Sequence, residues 1–124
     1  MRYHSAVEGR ATKARRRAPL LNWKGLDEVV RLLRNAYRSD FIYLFGSQSR
    51  GEAGPDSDYD LLLVVNDDVP PEQRRSRLAY EVLRGTKLAT DVLVCTRSYF
   101  EARRHLRASL PGTVLREGLL LHAE

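Results

Sequence analysis

Phe41-Ile42-Tyr43-Leu44-Phe45-Gly46-Ser47, followed ten residues later by Asp58-Tyr59-Asp60-Leu61-Leu62-Leu63-Val64-Val65, is the stretch that decides how this chain folds. Each half contains a short run of β-branched, aromatic and aliphatic residues without polar alternation. That pattern predicts strands buried on both faces. Gly46 ends the first run. Residues 46–57 (GSQSRGEAGPDS) are polar, with three glycines and a proline, and predict a loop with room for one helical turn after Ser47.

Outward from this centre, Leu26, Val29, Val30, Leu33 and Tyr37 recur at helical spacing and predict an amphipathic helix over Trp23–Arg38. Downstream, Pro70 and Pro71 are expected to open a helix with the apolar face Leu78, Ala79, Val82 and Leu83, stopping at Gly85. Leu88–Cys95 predicts a third strand. Ser98 with Glu101 resembles a capping box that starts a helix running to about Arg107. Ser109-Leu110-Pro111 restarts a short helix ending near Gly118, and Leu119–His122 is either a last strand or an extended tail. This order predicts a small α/β sheet covered by helices, in a single domain over residues 20–124.

The 124 residues carry a formal net charge of +5. Six basic residues (Arg2, Arg10, Lys13, Arg15, Arg16, Arg17) against Glu8 place that whole excess in residues 1–19, leaving 15 basic and 15 acidic residues for the rest. Residues 1–19 therefore read as a basic, flexible N-terminal arm that could contact nucleic acid or an acidic partner. No apolar run is long enough to span a bilayer, so no membrane is expected as a partner. The lone Cys95 sits in an apolar run and reads as a small core residue in a reduced, cytoplasmic setting. His4, His105 and His122 lack metal-ligand spacing and read as surface residues.

The chemistry concentrates on three acids. In a strand, residues two apart point the same way, roughly 6.6 Å between Cα atoms. Asp58 and Asp60 thus send two carboxylates to one side at the entrance of a buried strand. Asp91 lies inside Leu88-Ala89-Thr90-Asp91-Val92-Leu93-Val94, where an isolated charge would be costly to bury. Either it lies near an open strand end, or something positive compensates it. A divalent ion shared with Asp58 and Asp60 would do so, since hard cations such as Mg²⁺ prefer oxygen ligands. Gly46 permits a sharp turn and close approach of a ligand, a helical turn after Ser47 would aim N–H groups at a phosphate, and Arg50 lies within reach of the same pocket.

Phe45-Gly46-Ser47-Gln48-Ser49-Arg50-Gly51, the ten-residue spacing and Ser57-Asp58-Tyr59-Asp60-Leu61 together resemble the minimal nucleotidyltransferases of the DNA polymerase β superfamily. The resemblance extends over about residues 24–122 and includes Thr90-Asp91-Val92 and Arg116-Glu117-Gly118-Leu119-Leu120-Leu121. It implies the α/β (α+β) fold of polymerase-β-like nucleotidyltransferases, a small mixed sheet flanked by helices. It implies that Gly46 and Ser47, with Arg50, bind the nucleotide triphosphate. It further implies that Asp58, Asp60 and Asp91 hold Mg²⁺, two ions being expected, and that Asp91 helps deprotonate the acceptor. The implied reaction is transfer of AMP from ATP. Family members of this length commonly act as antitoxins of a HEPN-domain RNase toxin, modifying a tyrosine hydroxyl of that partner. Tyr59 stands where an aliphatic residue is usual and His122 where a tyrosine is; the arm before Pro19 has no counterpart. Two alternatives remain: transfer to a small molecule, as in the aminoglycoside-modifying relatives, and a non-catalytic toxin-binding module.

Overall fold

The computed structural model describes residues 21–52 and 57–124; the expected arm over 1–19 and part of the loop expected over 46–57 lie outside the described residues. Chain order begins with α1 (Trp23–Ala36), β1 (Ser39–Phe45), the single turn α2 (Ser47–Arg50) and β2 (Tyr59–Val65). A 3₁₀ turn (Pro71–Gln73) leads to α3 (Ser76–Val82) and β3 (Thr90–Thr96), followed by α4 (Arg97–Arg103), α5 (Leu110–Glu117) and β4 (Leu119–Ala123). The strands form one mixed sheet of order β3-β2-β1-β4, with β2 and β3 parallel and the other two pairs antiparallel. The expected α/β fold, a small mixed sheet flanked by helices, is what forms, and Leu119–Ala123 is a strand rather than a tail.

Period-two alternation divides the central strands between two cores. Ile42, Leu44, Leu61, Leu63 and Val65 pack with Leu26, Val29 and Leu33 of α1 and with Ala79 of α3. Phe41, Tyr43, Leu62 and Val64 face the other way, onto Phe100 of α4 and Val114 of α5. Tyr43 and Phe100 stack with ring centroids 5.7 Å apart. Because both faces of β1 and β2 are covered, their sequences carry no polar alternation, as expected. α1 starts where Asn22 Oδ1 accepts the Gly25 N–H at 2.9 Å, a side-chain cap on an otherwise unpaired first-turn donor.

Three expectations need correction. The helix opened by Pro70 and Pro71 is broken into a 3₁₀ turn and α3, because Arg75 is extended and caps α3. The Tyr37 hydroxyl stabilises that break by donating to Arg75 O and accepting from Ala79 N at 3.0 Å. A buried phenol from another element thus serves as the cap. The helix after β3 is capped by Thr96, not Ser98: Thr96 Oγ1 accepts the Tyr99 N–H at 3.2 Å, while the Ser98 N–H is held by Asp67. That helix ends at Arg103. His122 is not a surface residue; its side chain is 11% exposed within β4, with Nε2 3.7 Å from Glu124.

Candidate active site

The carboxylates meet at one end of the sheet. Asp60 is the second residue of β2 and Asp91 the second of β3, and the parallel register sets them opposite each other. Leu61 and Leu63 fill the α1 side, whereas Leu62 and Val64 fill the α4–α5 side. By alternation Asp60 therefore projects to the α4–α5 side. The same logic places Asp91 there, since Val92 packs on the α1 side and Cys95 on the other. Asp58 is exposed just before β2.

Asp91 is exposed, not buried. β3 is an edge strand, and Leu93 on it is 41% exposed, so the apolar run around Asp91 does not surround it with protein. Asp91 thus lies near the open end of its strand. Its Oδ1 accepts a hydrogen bond from the Tyr80 hydroxyl at 3.2 Å.

The antiparallel register of β1 with β2 pairs Phe45 with Asp60, which brings Gly46 against the Asp60 carboxylate. Gly46 has φ +76° and ψ −159°, and a Cβ there would overlap Asp60 Oδ2. Glycine is thus required twice, by backbone conformation and by space. α2 begins at Ser47, where the first-turn N–H groups have no intrahelical acceptors. Gln48 Nε2 donates to Ser57 O at 2.9 Å and so ties this turn to the segment that delivers Asp58. Arg50 is exposed and its guanidinium is hydrogen-bonded to Glu52 instead of pointing freely at the carboxylates.

Burial pushes the Asp60 carboxyl above the ordinary aspartate range, and the negative charges of Asp91 and Asp58 push it further, with Arg50 opposing. Like charges are therefore concentrated here with little protein cation to offset them. Among the described residues no three His, Cys, Asp or Glu side chains converge into a ready metal cage. An all-oxygen site of this kind still fits Mg²⁺, which usually takes one or two carboxylates and completes its shell with water and substrate phosphates. Burial pushes the Cys95 thiol up to about 11, which disfavours the thiolate form. A groove of about 240 Å³ lined by Trp23, Leu26, Val30, Arg34, Leu121 and His122, among others, contains none of the three acids.

The model of the nucleotidyltransferase domain family matches residues 26–119, which span Gly46, Asp58, Asp60 and Asp91. The chain belongs to the nucleotidyltransferase domain family. Solved structures agree with this fold. A toxin–antitoxin structure with AMP-PNP is 25% identical over 84% of this chain and 75% of that one, with a TM-score of 0.56. A Sulfolobus solfataricus protein with a provisional nucleotidyltransferase designation is 19% identical, covering 93% and 88%, also at 0.56. The complex of a tri-AMPylated Shewanella oneidensis HEPN toxin with its MNT antitoxin gives 21% identity, 84% and 74% coverage and a TM-score of 0.54. Comparison with curated protein sequences gives no match.

Two neighbours of the candidate site escape a reading of the sequence. Gln48 acts through a backbone carbonyl nine residues away, and Tyr80 reaches Asp91 from a different element. Neither has a local sequence signature. Among the described residues no helix is long and apolar enough to cross a membrane.

Proposed function

We propose that the chain transfers a nucleoside monophosphate, AMP from ATP, to a tyrosine hydroxyl of a HEPN-type toxin and thereby acts as its antitoxin. The observation that carries this reading is the register pairing of Asp60 with Asp91, with Gly46 pressed against Asp60. Support for the partner comes from the likeness to the toxin–antitoxin structure with AMP-PNP.

In this reading Gly46 lets the triphosphate approach the backbone, and the Ser47 hydroxyl and first-turn N–H groups of α2 bind its oxygens. Arg50, exchanging Glu52 for phosphate, adds a cation. Asp58, Asp60 and Asp91 would hold Mg²⁺, which supplies neutralisation of phosphate charge and activation of the attacking hydroxyl when bound. Asp91, on the exposed edge strand, is the carboxylate that a hydroxyl from a partner reaches and the one that takes its proton. The six basic residues within 1–19 would serve contact with an acidic partner or nucleic acid.

The test is neutralisation of the toxin by the double variant Asp58→Asn with Asp60→Asn. The proposal expects loss of neutralisation with the fold retained. Neutralisation equal to the parent's would mean that contact, not nucleotide transfer, silences the partner.

A further inference from the structure

The described tyrosines differ in what their hydroxyls face, and that of Tyr80 is hydrogen-bonded to an acid of the candidate site. Tyr37 and Tyr59 are buried, with hydroxyls committed to backbone groups at Arg75, Ala79 and Asn22. Tyr43 is buried against Phe100. Tyr99 is exposed, but it follows β3 and so lies at the opposite strand end from Asp91, with Arg103 over its ring at 4.0 Å. Tyr80, by contrast, is 55% exposed on α3 and places its hydroxyl 3.2 Å from Asp91 Oδ1.

A phenol held on a carboxylate is the arrangement of a nucleophile with its base. It is also well supported. The Tyr37 hydroxyl clamps the first turn of α3 through Arg75 and Ala79, and Ala79 is buried immediately before Tyr80. A carboxylate has about four acceptor positions, so the bond to Tyr80 leaves Asp91 capacity for further ligands.

We propose that Tyr80 is an internal acceptor, so that the chain nucleotidylates itself on this hydroxyl when no partner supplies one. This inference rests on the nucleotidyltransferase reading above. Tyr80 Oη attacks the α-phosphorus of a nucleoside triphosphate and forms a new O–P bond. The bond from that phosphorus to the oxygen bridging the β-phosphate breaks, pyrophosphate leaves with the electron pair, and the phenolic proton passes to Asp91. The product is a tyrosyl phosphodiester whose negative charge lies beside Asp91. It cannot donate the hydrogen bond that held the phenol, so Tyr80 leaves Asp91 and the carboxylate is open to another hydroxyl.

The experiment incubates the purified full-length chain with ATP and Mg²⁺ in the absence of a partner, then measures intact mass and maps peptides. One nucleoside monophosphate on the Tyr80 peptide is expected, at a rate per chain unchanged by dilution, and absent from Tyr80→Phe and Asp60→Asn. In the metal-free chain, Asp91→Asn is expected to shift the Tyr80 ring Cζ resonance, which reads the hydrogen bond without any turnover. An unmodified Tyr80, or an adduct elsewhere, in a preparation that still modifies a co-expressed HEPN-type partner would overturn the inference and leave the function standing. Neither self-modification nor partner modification, with no ATP binding by calorimetry, would overturn both.

Discussion

The two ends of β2 carry the same residue type in opposite circumstances. At its far end Asp67 accepts the Ser98 N–H at 3.0 Å, and that hydrogen bond holds its carboxyl below the ordinary range. Beside it, where β1 begins antiparallel to the end of β2, Asp40 pairs with Arg97 at 3.3 Å. At its near end Asp60 is instead partly desolvated and set against Asp91 and Asp58, and its carboxyl rises. A carboxylate that stabilises a fold sits where donors satisfy it. One that binds an ion or a phosphate complex sits where the protein leaves its charge uncompensated, and the fold tolerates the cost.

The largest expected effect comes from removing that uncompensated charge. Asp60→Asn should reduce nucleotide transfer on the order of 10²–10³-fold, as loss of a main electrostatic contributor does elsewhere. Steady-state assays with saturating Mg²⁺ would check it. An Asp67→Asn control should transfer nucleotide normally, and loss of activity in both would erase the distinction between the two ends.

Gly46→Ala comes next. It forces a side chain into a backbone region held almost only by glycine and onto Asp60 Oδ2. Backbone strain alone should cost about 1–3 kcal/mol, measurable by urea denaturation, with transfer reduced as well.

Smaller effects concern pH and stability. A carboxyl raised in the folded state binds its proton more tightly there than when unfolded. The contribution of Asp60 is therefore present below the unfolded pKa and is lost as pH rises through the folded pKa. For Asp67, lowered when folded, the sign reverses, and its contribution is lost as pH falls through the folded pKa. Metal-free Asp60→Asn should thus melt a few degrees higher than the parent at neutral pH and keep no advantage in acid. Asp67→Asn should melt slightly lower at neutral pH and converge on the parent in acid. Thermal melts across the acid range would resolve the two, and parallel curves would refute the contrast.

Much of the fold was legible because β1 and β2 are buried on both faces, so Phe41–Phe45 and Leu61–Val65 announce themselves without reference to neighbours. The stripe of α1 and the Ser109-Leu110-Pro111 start of α5 were equally local. What escaped were cases in which a distant group decides. Tyr37 breaks the helix after Pro71, and Asp67 takes the Ser98 N–H, leaving Thr96 to cap α4. The site followed the same division. Gly46, Asp58 and Asp60 could be related by spacing along one hairpin-like stretch. Asp91 drew notice as a charge in an apolar run, although that run lies on an edge strand where the charge is solvated. Its bond to Tyr80 depends on how α3 lies against β3, which no local pattern encodes.

The most direct measurement is the mass of a HEPN-type partner co-expressed with this chain. A gain of AMP on a partner tyrosine is predicted, dependent on ATP and Mg²⁺ and absent with the Asp58→Asn, Asp60→Asn chain. An unmodified partner in a stable complex with the intact chain would contradict it.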